Sequence, residues 1–149
     1  MLRSILAVIV SYIVIAVLVM ALFGGLWFGM GPDRLLEEGT WKGNMILCIA
    51  APGITGVVGL FGGWVCAKIG RARGPVMALA GVVLVIGFTM AYFTLQKPEP
   101  TGVREPGLTV EQFMEKGREP TWVAVSNPII GAVAVLCGGL CSVPPRRQA

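Results

Sequence analysis

The sequence predicts an all-α integral membrane protein, four transmembrane helices in a small bundle, and three observations lead to that class. Hydrophobic residues make up 55% of the 149 and charged residues only 13%, where a soluble domain carries about 25% charged. The apolar residues gather into four runs, 4–30, 44–67, 75–95 and 122–143, each about twenty residues or more and so long enough to cross a hydrocarbon core. No Asp, Glu, Lys or Arg lies inside any run. A chain of this length forms one domain over residues 1–149.

The first run follows Arg3 and is far longer than the apolar core of a secretory signal peptide, so it reads as an uncleaved helix. At 100° per residue, Ala7, Ser11, Ala21, Gly25 and Gly29 share one face, a strip of small side chains. Pro32, Gly39 and Gly43 punctuate the link that follows, leaving room for at most one helical turn. In the second run Gly56, Gly59 and Gly63 fall together, with Leu47, Ile54, Val58, Phe61 and Val65 on the other side. In lipid, helices associate by close packing rather than by expulsion of water, so a bare face invites a partner backbone and a bulky one faces lipid. These spacings make the second run the central packing element and set Val58 toward lipid.

Lys68, Arg71 and Arg73 end that run as a basic anchor for anionic lipid headgroups, worth about 1 kcal/mol per side chain. Three cations against a membrane face do not imply nucleic acid. Gly74-Pro75 is expected to make the turn into the third run. There Gly74, Ala78 and Gly81 lie on one face and Ala80, Gly87 and Ala91 on another, as suits a helix with neighbours on both sides. The polar loop 96–121 contains Thr109-Val110-Glu111-Gln112, which resembles a capping box, and Gly117 as a stop, predicting a short amphipathic helix over 109–116. Its carboxylates, Glu119 among them, alternate with cations and read as a solvated loop without a calcium-binding pattern.

In the fourth run, Gly131 and Gly138 lie on one face with Ala124 and Asn127. Ser126-Asn127-Pro128 is the most polar feature at membrane depth. Pro128 frees the carbonyl of Ala124, and the Asn127 amide needs a partner where lipid supplies none. An interhelical hydrogen bond is the plain expectation; a polar ligand or pore site at a broken helix is the sharper one.

Several functions are disfavoured. Proton-coupled transport and voltage sensing rely on ionisable groups at membrane depth. The absence of histidine removes the commonest metal ligand and acid–base group. Cys48, Cys66, Cys137 and Cys141 lie in apolar segments and read as small buried side chains. No nucleophile–base pair or metal set points to an enzyme or a cofactor.

Even spans put both termini on one side with the Lys68–Arg73 turn. The Lys and Arg counts of the two sides tie, but cations on the terminal side abut the membrane in very short segments, so the termini are expected in the cytoplasm. Trp27, Trp41 and Trp122 then mark one interface and Trp64 the other. Gly25-Leu26-Trp27 matches the G-L-W of tight-junction four-helix proteins, but the long cysteine-bearing loop that follows it there is missing, and the match is rejected. The chain resembles the small four-helix membrane proteins of bacteria, which implies an inner (plasma) membrane location and no particular activity. The expectation is a non-enzymatic protein acting by helix–helix association, as a homo-oligomer or an accessory subunit beside other membrane proteins. An uncoupled channel or facilitator for a small neutral solute is the alternative.

Overall fold

The computed structural model describes residues 2–97, 112 and 116–143, without the side chains of Pro32 and Asp33. Four helices are long and apolar enough to cross a membrane: α1 (Leu2–Met30), α3 (Met45–Gly70), α4 (Arg73–Gln96) and α5 (Thr121–Leu140). A single turn, α2 (Pro32–Leu35), lies between the first two. The capped helix expected over 109–116 falls outside the described residues, except for Gln112 and Lys116, which are helical.

Local chemistry accounts for most boundaries. Gly31 ends α1 at φ +75, a conformation that glycine adopts without a Cβ penalty, and donates its N–H to the Trp27 carbonyl. Asn44 caps α3: its Oδ1 accepts from the Leu47 N–H at 3.1 Å, while its Nδ2 donates to the Arg34 carbonyl. The α3–α4 turn differs from the expected Gly74-Pro75. Arg71 takes the left-handed conformation (φ 51) and Ala72 is extended, so Gly74 and Pro75 belong to the first turn of α4. Proline is tolerated there because the first amides of a helix have no intrahelical acceptor. α5 ends at Leu140, three residues before the expected limit, in a turn closed by Ser142 N–H to the Gly139 carbonyl. Pro144 in the sequence disfavours helical backbone at Val143.

The ladder of contacts sets the directions. Arg3 Nε donates to the Ile69 carbonyl at 2.8 Å, and Ile15 lies over Gly62, so α1 runs antiparallel to α3. Gly56 faces Ile130, Gly59 faces Ala134, and Gly63 faces Val135, so α3 and α5 run parallel. Gly87 meets Pro128 and Val76 meets Gly139, so α4 runs antiparallel to α5. The basic residues Arg3, Lys68, Arg71 and Arg73 therefore gather at one end, and the Gly31–Gly43 link and the approach to α5 gather at the other. At that loop end, Gly43 N–H donates to the Arg118 carbonyl and Arg118 N–H to the Trp41 carbonyl, each at 2.8 Å. This short parallel pairing ties the two segments together across the starts of α3 and α5.

The core lies at the basic end. Ala7 of α1, Cys66 and Ala67 of α3, Val76 and Leu79 of α4, and Ala132 and Val135 of α5 form its buried cluster. Two expectations are corrected by it. α3 is sandwiched between α1 and α5, so Leu47 and Val58 are buried (3% and 2% exposed) and only part of the bulky side, such as Phe61, stays exposed. α4 packs through Ala80, Gly87 and Ala91, whereas Gly74, Ala78 and Gly81 are exposed, so its neighbours lie mainly on one side. The cysteines divide as well: Cys66 is buried, Cys48 is half-buried, and Cys137 and Cys141 are exposed.

Candidate functional site

Two neighbouring features arise where the three inner helices meet: a glycine-packed seam and, toward the loop end, a cavity. The seam forms because α3 and α5 both carry glycine where they cross. A Cβ on Gly59 would come within 2.8 Å of the Ala134 Cβ and 2.9 Å of the Gly131 carbonyl oxygen. On Gly63 it would run into the Val135 carbonyl, and on Gly138 into the Leu60 carbonyl. Such contacts place backbone against backbone, and only glycine permits them. At Gly56 the same construction leaves 3.7 Å to Ile130 Cγ2, an ordinary contact. The helices thus separate toward the loop end. Gly131 marks the transition, between Thr55 of α3 and Val83 of α4.

Beyond Gly131 a cavity of about 430 Å3 opens over α5, bordered by Thr55, Val83, Thr94, Glu119, Asn127 and Pro128 among others. Its size lies within the roughly 300–1,000 Å3 usual for small-molecule sites. Pro128 is buried and packs on Gly87, where a Cβ would come within 2.8 Å. Ser126 points elsewhere and donates its hydroxyl to the Val123 carbonyl at 3.2 Å. Thr55 donates to the Ala51 carbonyl at 2.9 Å, next to Pro52, which lies inside the continuous helix α3. The interhelical bond expected of Asn127 is not formed among the described residues: its Oδ1 is buried without a hydrogen-bond partner. The NH2 end of the amide is therefore the end left for the cavity.

Glu119 is the residue that sequence reasoning missed. It sits in the polar loop by composition, but the Lys42–Arg118 pairing draws its position in between the helix starts. Burial then pushes its carboxyl above the usual carboxylate range. The nearest sequence signal is Pro120, which closes the loop one residue before α5 begins.

The remaining sequence candidates fall elsewhere. Lys68, Arg71 and Arg73 are exposed at the basic end, with Lys68 Nζ 5.7 Å from the Trp64 ring centroid. Ala7 and Ser11, the start of the small strip on α1, are buried, whereas Ala21, Gly25 and Gly29 further along it are exposed. Among the described residues, no atom of another helix lies within 4 Å of a Cβ built on Gly25 or Gly29. No protein-family model, curated protein or solved structure matches this chain.

Proposed function

We propose that this membrane protein crosses the bilayer four times as a small bundle and works without catalysis by helix–helix association. Its partner in that role is a second copy of the chain or another membrane protein to which it is an accessory subunit. One observation carries the reading: the small-residue strip of α1 is half used. Ala7 and Ser11 are covered by the bundle, but no residue of α1 after Ser11 is buried, and only 11% of its apolar stretch is buried against 44% for α5. A bare strip on an apolar helix is where another backbone can approach closely in lipid. The test is disulfide trapping in vesicles, in a chain whose native cysteines are replaced by alanine. Gly25→Cys and Gly29→Cys should trap dimers, or adducts to a subunit carrying a matching cysteine, and Phe23→Cys on the opposite face should not. Equal yields from all three would sink the proposal.

The gathering of Arg3, Lys68, Arg71 and Arg73 at one end supports an inner (plasma) membrane orientation with that end, and both termini, in the cytoplasm. Reporter domains fused after Ala149 and within 70–74 should then report cytoplasmic, and one near Gly107 external. An external C-terminal reporter would reverse the orientation. A second reading, an uncoupled channel or facilitator for a small neutral solute, draws on the cavity at Asn127 and Pro128. Conduction would require the contacts of Gly131 with Thr55 and Val83 to part, because the seam beyond them is closely packed.

A further inference from the structure

The cavity at Asn127 adjoins a second one, of about 580 Å3, on the loop side, and the two share Thr94, Arg118 and Glu119. Lys42 and Lys97 border the outer cavity; Leu47, Val83 and Met90 border the inner. From the loop inward, the joined lining therefore presents Lys42 and Lys97 with one carboxylate, Glu37, then the Thr94 hydroxyl, then the Asn127 amide, then hydrocarbon. Hydrogen-bond donors dominate the polar part. The proton of Thr55 is committed to the Ala51 carbonyl, and Asn127 turns its acceptor oxygen into the protein. Two carboxylates also border the cavities: Glu37 at the exposed mouth, and Glu119, whose burial favours the neutral form, which donates.

We propose that the joined cavities bind one anionic glycerophospholipid drawn from the surrounding bilayer. Its phosphate sits between Lys42 and Lys97, an ester carbonyl accepts from Asn127 and Thr94, and an acyl chain lies in the cleft between α3 and α4 over α5. The order of groups in such a lipid, anion then ester then chain, is the order of the lining. Each part meets its complement: cations for phosphate, donors for an ester that can only accept, and apolar walls for the chain. A neutral water-soluble solute would make no use of the charge on Lys42 and Lys97. α3 and α4 meet at their tight turn and diverge toward the loop end, which gives a lipid an entry from the side. The site involves none of the open strip on α1, so it stands or falls independently of association there.

The experiment uses the full chain in phosphatidylcholine vesicles doped with a diazirine-acyl phosphatidylglycerol or the matching phosphatidylcholine probe, with crosslinked positions mapped by mass spectrometry. Thr55 and Val83, at the inner end of the cavity, should be labelled about five-fold more by the anionic probe, the preference that a single nearby cation supplies. Ile13, exposed on α1, should be labelled equally by both. Lys42→Gln and Lys97→Gln should each weaken the preference and the double variant should remove it, whereas Gly25→Leu and Lys68→Gln should leave it intact. Thr94→Val, which exchanges a hydroxyl for a methyl, should lower labelling of Thr55 and Val83 by both probes alike, because both carry ester carbonyls. Equal labelling of Thr55 and Val83 by the two probes, a preference that survives the double variant, or labelling unchanged by Thr94→Val overturns the proposal.

Discussion

At the basic end, α3 and α5 meet through Gly59, Gly63, Gly138 and Gly139, so close that a single added carbon would collide with backbone or with the side chain of a neighbouring helix. Less than one turn from Gly59 toward the loop, at Gly56, the same helices leave room for a Cβ, and beyond them lies a cavity with an unsatisfied amide oxygen at its foot. One pair of helices thus supplies both a rigid clamp and an open cleft. The difference comes from side-chain size along one face: glycine at the crossing draws the backbones together, and Thr55, Ile130 and Asn127 keep them apart. Dispersion contacts forfeited around the cavity are offset by the clamp, whose close approach brings many atoms into contact at once.

The comparison is most exposed to substitutions in the clamp. Gly63→Leu should cost the most, about 3 kcal/mol or more, because overpacking costs about 1–3 kcal/mol even where neighbours can move and here the neighbour is the backbone of Val135. Gly59→Leu should follow, within about 1–3 kcal/mol. Helix propensity argues the other way, favouring leucine over glycine by somewhat under 1 kcal/mol, so the sign of the change separates the two effects. Thermal unfolding in detergent, followed by circular dichroism, reads it. Val57→Leu, on an exposed part of α3, is the control and should be nearly silent. A stabilised Gly63→Leu variant would mean that the clamp does not hold the bundle together.

The open end should respond far less. Asn127 makes no interhelical bond in the described structure, so Asn127→Leu should change stability by no more than the ~0.6 kcal/mol that such bonds average in membranes. A loss above about 2 kcal/mol would show that the amide is satisfied in the folded protein and that the cavity is not open there. Gly25→Leu should leave the stability of a single chain unchanged or slightly raised, since none of the described residues lies against Gly25 and leucine suits a helix better. Loss of a trapped dimer in that variant, without loss of helix, would confirm that the strip binds from outside.

The gentlest probe is pH. A carboxyl raised by burial binds its proton more tightly in the folded chain than in the unfolded one. Its favourable contribution is therefore complete below the ordinary carboxylate value and is lost as pH rises through the raised one. Stability should decline across that interval in the parent protein, and the Glu119→Gln variant should lack this part of the slope. Superimposable pH–stability curves would place Glu119 in water.

Hydropathy and chain length determined the four helices, and their ends to within three residues, because spanning length and local caps are properties of short stretches. Asn44, Gly31 and Pro32 are legible as boundaries in the same way. Helical spacing also identified the strips that include Gly59, Gly63, Gly131 and Gly138. Spacing places a residue on a face of its own helix, however, and does not say which neighbour covers that face. Only the tertiary structure decided that α5 fills the strip on α3 while Gly25 and Gly29, on the strip of α1, stay exposed. It buried Val58, which spacing alone sets toward lipid, because α3 has helices on two sides. It also drew Glu119 from a polar loop to the neck of a cavity, through backbone pairing of Arg118 with residues more than seventy positions earlier. Long-range pairing of that kind is carried by N–H and C=O groups common to every residue, so side-chain pattern leaves no trace of it.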